Sequence, residues 1–228
     1  MSSLIPSSSN LTSRKVAVIG AGAAGLVASR ELGREGHEVV VYERNNRVEG
    51  TWVYDPNVES DQLGIDPSRS IVHSSLYESL RTNLPREIMG FRDYPFVSVV
   101  KNGVKKQRDP RRYPGHKEVL NYLEDFASDF QLTELIRFET EVVHVGLLLE
   151  EEEEEEGRKK WLVKSRRKSG RADGENNTSN CSSSVVDEVF DAVVVCSGHF
   201  TEPNIAEIPG TFFIFFLLLL YLLLCREI

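Results

Sequence analysis

Lys15-Val-Ala-Val-Ile-Gly20-Ala-Gly22-Ala-Ala-Gly25 and, a little further on, Glu38-Val-Val-Val-Tyr-Glu43 decide the fold. Lys15 to Ile19 is an unbroken apolar run that ends on glycine, the pattern of a strand buried on both faces. Ala23 to Arg34 combines helix formers with apolar positions at Leu26, Val27 and Leu32 and the aliphatic stem of Arg30; Gly36 supplies the stop. Glu38 to Glu43 reads as a second strand. Strand, helix and strand within about thirty residues make a βαβ unit, hence α/β architecture with a parallel sheet and a right-handed crossover.

The turn between the first strand and its helix has the spacing GxGxxG at Gly20, Gly22 and Gly25, and Glu43 stands 18 residues past Gly25 at the end of the second strand. Gly20 permits the tight turn, Gly22 lets the backbone approach a pyrophosphate, and Gly25 lets helix and strand pack closely. The N-terminus of the helix offers N–H donors and a positive dipole end to the phosphates, and Glu43 can accept from ribose hydroxyls. This is a dinucleotide cradle. An acid in that place leaves NAD and FAD open and disfavours NADP at this site.

Farther along the chain the text is uneven. Met1 to Arg14 is a Ser-rich polar arm without an apolar core long enough for a secretory signal. Between Arg44 and Gly115, Pro56, Pro67, Pro85, Pro95, Pro110 and Pro114 break the chain, while Trp52, Tyr54, Tyr77, Phe91, Tyr94 and Phe96 suit packed loops and short helices. Val119, Leu120, Leu123, Phe126 and Ala127 share one face of a helix expected over 116–130. Ile136 to Leu149 reads as a strand with Trp161-Leu-Val163 as its hairpin partner, and Phe190 to Gly198 as another buried strand ending in a glycine turn.

Composition excludes several classes. With 228 residues, 40% of them hydrophobic, the chain is neither wholly disordered nor a multi-span membrane protein. Net charge is −8, and seven of the negatives form the run Glu150 to Glu156, so the rest is close to neutral and unlike a nucleic-acid binder. The basic stretch that follows, Arg158 to Arg171, reads as a solvated insertion beside that run. Cys181, Cys196 and Cys225 make neither CxxC nor an even disulfide framework, which suits a reducing, cytoplasmic setting. His37, His73, His116, His144 and His199 are scattered without metal-ligand spacing, so no metal site is expected. His116 is read as capping or orienting the helix that follows it.

Four further segments carry a specific likeness: Glu49-Gly-Thr-Trp52, Thr82-Asn-Leu-Pro85, Arg112-Tyr-Pro-Gly-His116 and Val195-Cys-Ser-Gly-His199. In this order, after the glycine cradle, they resemble the flavin-containing monooxygenases, and among them the plant branch that S-oxygenates the methylthio side chains of glucosinolates. The likeness runs from Lys15 to about Gly210, apart from the charged insertion. It implies a Rossmann-like FAD-binding domain with a β-hairpin insertion, part of an architecture with two dinucleotide-binding domains. The segments implied are an arm over 1–14, the FAD domain over 15–146, a charged low-complexity insertion over 147–186, a return strand over 187–210 and an apolar tail over 211–228.

The resemblance also implies site residues. FAD contacts would fall on Gly20, Gly22, Ala23, Ala24, Gly25 and Glu43. Gly50, Thr51 and Trp52 match the family's GGxW segment, with Glu49 where its first glycine stands. Thr82, Asn83 and Leu84 match the segment of the flavin-site asparagine, which makes Asn83 the candidate catalytic residue. Val142 matches a position that touches adenine, and Gly198 ends a strand returning toward the cofactor. The chemistry implied is reduction of FAD by NADPH, addition of O2 to give a hydroperoxyflavin, and oxygen transfer to a small-molecule thioether or amine.

Two features stand outside that pattern. No second GxG occurs after Gly25, although an NADPH domain carries its own, so the chain is read as stopping before that domain. Phe212 to Cys225 is 14 apolar residues, about 21 Å as a helix against about 30 Å of bilayer hydrocarbon. It is read as translated intron sequence or, alternatively, as a short membrane attachment. Two functions follow as expectations: an FAD- and NADPH-dependent monooxygenase, or a catalytically incomplete FAD-binding fragment attached to a membrane through 212–225. An NAD-dependent dehydrogenase is a third reading, opposed by the Trp52 and Asn83 segments.

Overall fold

A computed structural model describes residues 12–48, 50–57, 74, 76–97, 108–148, 159–168, 184–198 and 209. Its elements in chain order are β1 (Lys15–Ile19), α1 (Ala23–Arg34), β2 (Glu38–Tyr42), α2 (Arg86–Met89), α3 (His116–Asp129), β3 (Ile136–Arg137), β4 (Thr140–Leu148), β5 (Lys160–Arg167), β6 (Val185–Phe190) and β7 (Ala192–Val195). Single 3-10 turns cover Gly50–Trp52 and Leu132–Leu135. A parallel sheet has the order β3-β2-β1-β7, and an antiparallel sheet the order β4-β5-β6.

The expected βαβ unit is present, with Val16 opposite Val39 and Val18 opposite Val41. The helix between the strands ends as its sequence dictates. Gly36 takes φ +80°, its amide donates to Gly33 and that of His37 donates to Leu32, the two bonds of a Schellman motif.

Alternation along the strands builds two cores. Val18, Val39 and Val41 face α1 and α3, where Leu26, Val119, Leu123 and Phe126 close over them. Ala17, Val40 and Tyr42 face the other way and pack on Val163 and Phe190 of the antiparallel sheet. The layers are therefore helices, parallel sheet and antiparallel sheet. Arg30, whose stem the pattern placed on the apolar face, is buried with its guanidinium over Phe126 and Phe130 and paired to Asp93 at 2.7 Å.

The face of α3 differs in detail from the expected one. Leu120 is only half-buried, whereas Tyr122, Glu118 and His116 are buried. Glu118 is tolerated because Arg108 and Arg86 flank it at 3.5 and 3.8 Å. The Tyr122 hydroxyl accepts from the Phe91 amide and donates to the Tyr94 carbonyl, so this ring ties the proline-rich segment to the helix.

The hairpin partner expected at Trp161–Val163 is found and is longer. Residues 160–167, inside the span read as a charged insertion, form β5, the middle strand of the antiparallel sheet. The strand expected over Phe190–Gly198 is divided. Phe190 ends β6, Asp191 turns the chain, and only Ala192–Val195 pairs with β1. The turn has a local cause: the Asp191 carboxylate accepts from the Lys15 amide and from the Lys160 ammonium, and its own amide donates to Lys15. Nor is β7 fully buried. It is the outer strand of the parallel sheet among the described residues, and Val195 is 69% exposed.

The Glu run, the tail at 211–228, Glu49 and His199 lie outside the described residues. Among the described residues no helix is long and apolar enough to cross a membrane.

Candidate dinucleotide site

A cavity of about 560 Å³ opens at the carboxyl ends of β1, β2 and β7, the place where doubly wound sheets bind ligands. Ile19, Tyr42 and Val195 mark the three strand ends, and Thr140, Glu141 and Val142 of β4 supply another wall.

The glycines shape the loop by what they exclude. Gly20 takes φ +102°, and a Cβ there would stand 2.5 Å from the Cys196 carbonyl oxygen. A Cβ on Gly25 would stand 1.9 Å from the Gly20 carbonyl oxygen, so helix and loop touch backbone to backbone. Gly22 differs: a Cβ would meet only the Gly50 backbone, at 3.6 Å or more. Gly22 is also the N-cap of α1 and provides no side-chain hydrogen bond, so the first N–H groups of that helix keep no side-chain cap. Gly22, Ala23 and Ala24 line the cavity at that helix start.

Glu43 follows β2 and is buried. One carboxylate oxygen accepts from the Ala21 amide and the other from the Asn45 amide, each at 2.8 Å. The acid that the spacing assigned to ribose thus also clamps the glycine loop to the end of β2. Each oxygen retains lone-pair capacity for a ligand hydroxyl.

Gly50, Thr51 and Trp52 line the cavity as a 3-10 turn that abuts Gly22, with Gly50 at φ +59° and Trp52 packed against the main core. The Ser74 hydroxyl donates to the Thr51 carbonyl at 2.9 Å and fixes the turn.

Of the residues singled out from the sequence, the cavity gathers Gly20, Gly22, Ala23, Ala24, Glu43, Gly50, Thr51, Trp52, Val142 and Gly198. Gly25 sits beneath it. Thr82, Asn83 and Leu84 do not line it; they form a separate turn in which the Thr82 hydroxyl donates to the Leu84 carbonyl at 2.9 Å. Asn83 is exposed there, and Leu84 is half-exposed. His116 does not cap its helix by its side chain: Gly115 is the N-cap, and the imidazole faces the Glu78 carbonyl instead.

Arg44, Asn45, Thr140, Glu141 and Cys196 also line the cavity and were not identified from the sequence. Arg44 and Asn45 directly follow the acid at a strand end, a signal that could have found them. Burial pushes the Cys196 thiol above its ordinary pKa, so it is a poor nucleophile there. Backbone amides at a helix start, an acid at the next strand end and the close backbone approach of Gly22 and Gly50 beside the cavity suit a dinucleotide; the cavity residues fit FAD.

The family model described as FMO-like, flavin-binding monooxygenase-like, matches residues 13–212. Flavin-containing monooxygenase FMO GS-OX4 of Arabidopsis thaliana is 54% identical over 207 residues, which are 91% of this chain and 40% of that protein. Putative flavin-containing monooxygenase FMO GS-OX-like 10 of the same plant is 57% identical over 199 residues, 87% of this chain and 39% of that protein. Among solved structures, S-allyl-L-cysteine S-oxygenase from Allium sativum matches with TM-score 0.69 at 50% identity, over 88% of this chain and 40% of that one. Tmm from Pelagibacter sp. strain HTCC7211 matches with TM-score 0.59 at 25% identity, over 86% and 39%. The chain spans about 40% of the length of the curated relatives it matches.

Proposed function

The chain belongs to the flavin-binding monooxygenase-like family, and from that premise we propose that it holds FAD in the glycine-lined cavity and forms the flavin half of an NADPH- and O2-dependent S-oxygenase. The observation that carries the reading is the clamp between Glu43 and Ala21, which joins the glycine loop to the end of the next strand at the mouth of a cavity.

Each residue then has a task. The amides of Ala23 and Ala24, at the positive end of α1, would hold the pyrophosphate, with Gly22 leaving room for it. Glu43 would accept from the adenosine ribose, and Val142 would contact the adenine. Gly50, Thr51 and Trp52 would cover the ribityl chain or ring and keep water away. FAD, when bound, supplies the redox chemistry with NADPH and O2. Residues 15–146 and 187–210 make up the FAD domain, and the span 147–186 between them contributes β5 to its antiparallel sheet. Asn83 is assigned to the reacting end of the flavin as a hydrogen-bonding residue.

A thioether sulfur is the substrate group we favour over an amine. Support comes from the likeness to an S-allyl-L-cysteine S-oxygenase and to GS-OX monooxygenases. In an enzyme completed by an NADPH-binding domain, incubation with NADPH, O2 and a methylthioalkyl substrate should give the sulfoxide, whereas this chain alone should not turn over. Asn83→Ala should retain FAD and lose sulfoxide formation; equal turnover by this variant would remove Asn83 from the site, and N-oxide without sulfoxide would reverse the substrate choice.

A second reading is a flavin-binding unit without turnover. NADPH-driven bleaching of bound flavin separates the two readings.

A further inference from the structure

We infer that His116 is a positioning residue for the flavin site, pinning the segment that carries Asn83 to the segment that carries Trp52. The inference rests on the reading above, in which both segments serve one flavin.

His116 opens α3 and is 2% exposed. Its amide donates to the Leu80 carbonyl at 3.1 Å, and its Nε2 lies 3.2 Å from the Glu78 carbonyl oxygen. A carbonyl only accepts, so Nε2 carries the proton and donates to it. The ring packs on Tyr54, with centroids 5.6 Å apart. Tyr54 stands two residues past Trp52.

The contacts at Glu78 and Leu80 continue toward Asn83. Arg81 and Gly115 form an antiparallel bridge, and the Thr82 amide donates to the Pro114 carbonyl at 2.9 Å. Residues 80–82 are thus laid on 114–116 by backbone bonds, and the imidazole extends that attachment to Tyr54. Helix initiation alone asks for none of this, because Gly115 is the N-cap.

The second indication is a cost. Nδ1 is buried and has no hydrogen-bond partner among the described residues. An apolar ring would avoid that unpaired nitrogen, but it would also lose the Nε2–H donor to Glu78. Both the ring and the donor are therefore required.

Three variants dissect the two contacts. His116→Ala removes ring and donor, His116→Gln keeps a donor, and His116→Phe keeps a ring. Amide exchange over 76–84 and 50–57 is the readout, with the absorption and fluorescence of added FAD alongside. Expected are about tenfold faster exchange in both segments for His116→Ala, protection of 76–84 restored by Gln, and protection of 50–57 restored by Phe. β1 and α1 should exchange as in the wild type, and the spectrum of bound flavin should change in His116→Ala and recover in His116→Gln. Unchanged exchange at 76–84 in His116→Ala, no rescue by Gln, or equal acceleration throughout β1 and α1 would overturn the inference. Failure of the wild type to bind FAD would overturn the flavin reading instead, and exchange would still decide whether His116 joins the two segments.

Discussion

The Tyr42 hydroxyl donates to Glu188 at 2.9 Å, and by that bond the strand that precedes Glu43 is tied to the antiparallel sheet. Lys15 and Arg137 meet the same carboxylate at 2.6 and 2.5 Å. One glutamate therefore joins β1, β2 and β3 to β6. The Tyr42 ring also meets Phe190 edge-on at 6.2 Å, so apolar and ionic contacts between the layers coincide.

The Glu188 carboxyl is held down from its ordinary 4.5 to about 2, chiefly by Arg137, with Lys15 and Tyr42 adding to it against the effect of burial. Since its folded pKa lies below the unfolded one, its contribution is present above pH 4.5 and lost as pH falls toward 2. Glu188→Gln should lower stability near neutrality by about 1 kcal/mol, the small figure reflecting partial exposure. It should also flatten the acid limb between those pH values. Urea melts at a series of pH values check this, and parallel acid limbs would contradict it.

Tyr42→Phe keeps the edge-on ring and deletes the hydroxyl. A loss of about 1 kcal/mol is expected by thermal melting, with FAD affinity unchanged because the hydroxyl faces Glu188 and not the cavity.

Gly25→Ala tests the backbone contact beneath the cavity. The added Cβ would lie 1.9 Å from the Gly20 carbonyl oxygen, and backbone has to move to admit it. A loss of about 1–3 kcal/mol is expected, together with loss of FAD binding. A wild-type melting curve would mean that the helix does not seat on the loop in this way.

Gly22→Ala should behave in the opposite manner. Its Cβ makes only ordinary contact with Gly50, at 3.6 Å, so the melting curve should stay within about 0.5 kcal/mol of wild type. FAD affinity should nevertheless fall by about tenfold or more, because the proposed reading brings the pyrophosphate to the loop at Gly22. Calorimetry and fluorescence titration on the same sample separate the two effects.

Glu43→Gln removes one of two acceptors that serve the Ala21 and Asn45 amides. Stability should fall by about 1–3 kcal/mol and FAD affinity with it, and raised FAD concentration should recover part of the stability by mass action.

Much of the candidate site is legible in the sequence, because its first half is local. The unbroken run Val16–Ile19, the glycine spacing and Glu43 lie within one βαβ unit, where pattern and turn chemistry suffice. Thr140 and Glu141 reach the cavity only because β3 pairs with β2 and the chain then turns into β4, a long-range fact no local period records. The burial of Glu118 depends on Arg86 and Arg108 in separate segments, so a polar residue there reads as solvent-facing until the partners are placed. Phe190 and Ala192 look like one strand because both are apolar, and it is the pairing of Asp191 with Lys15 and Lys160 that divides them between sheets. The Asn83 turn was reached through family likeness alone; its backbone bonds to Pro114 and its neighbours emerge only in three dimensions.

Fluorescence titration of the purified protein with FAD, alongside NADH as a competitor, tests the flavin assignment most directly. The expected result is one FAD bound per chain, weakened by Gly22→Ala without loss of fold and not displaced by NADH. A folded wild-type protein that takes up no FAD, or that releases it to NADH, would contradict it.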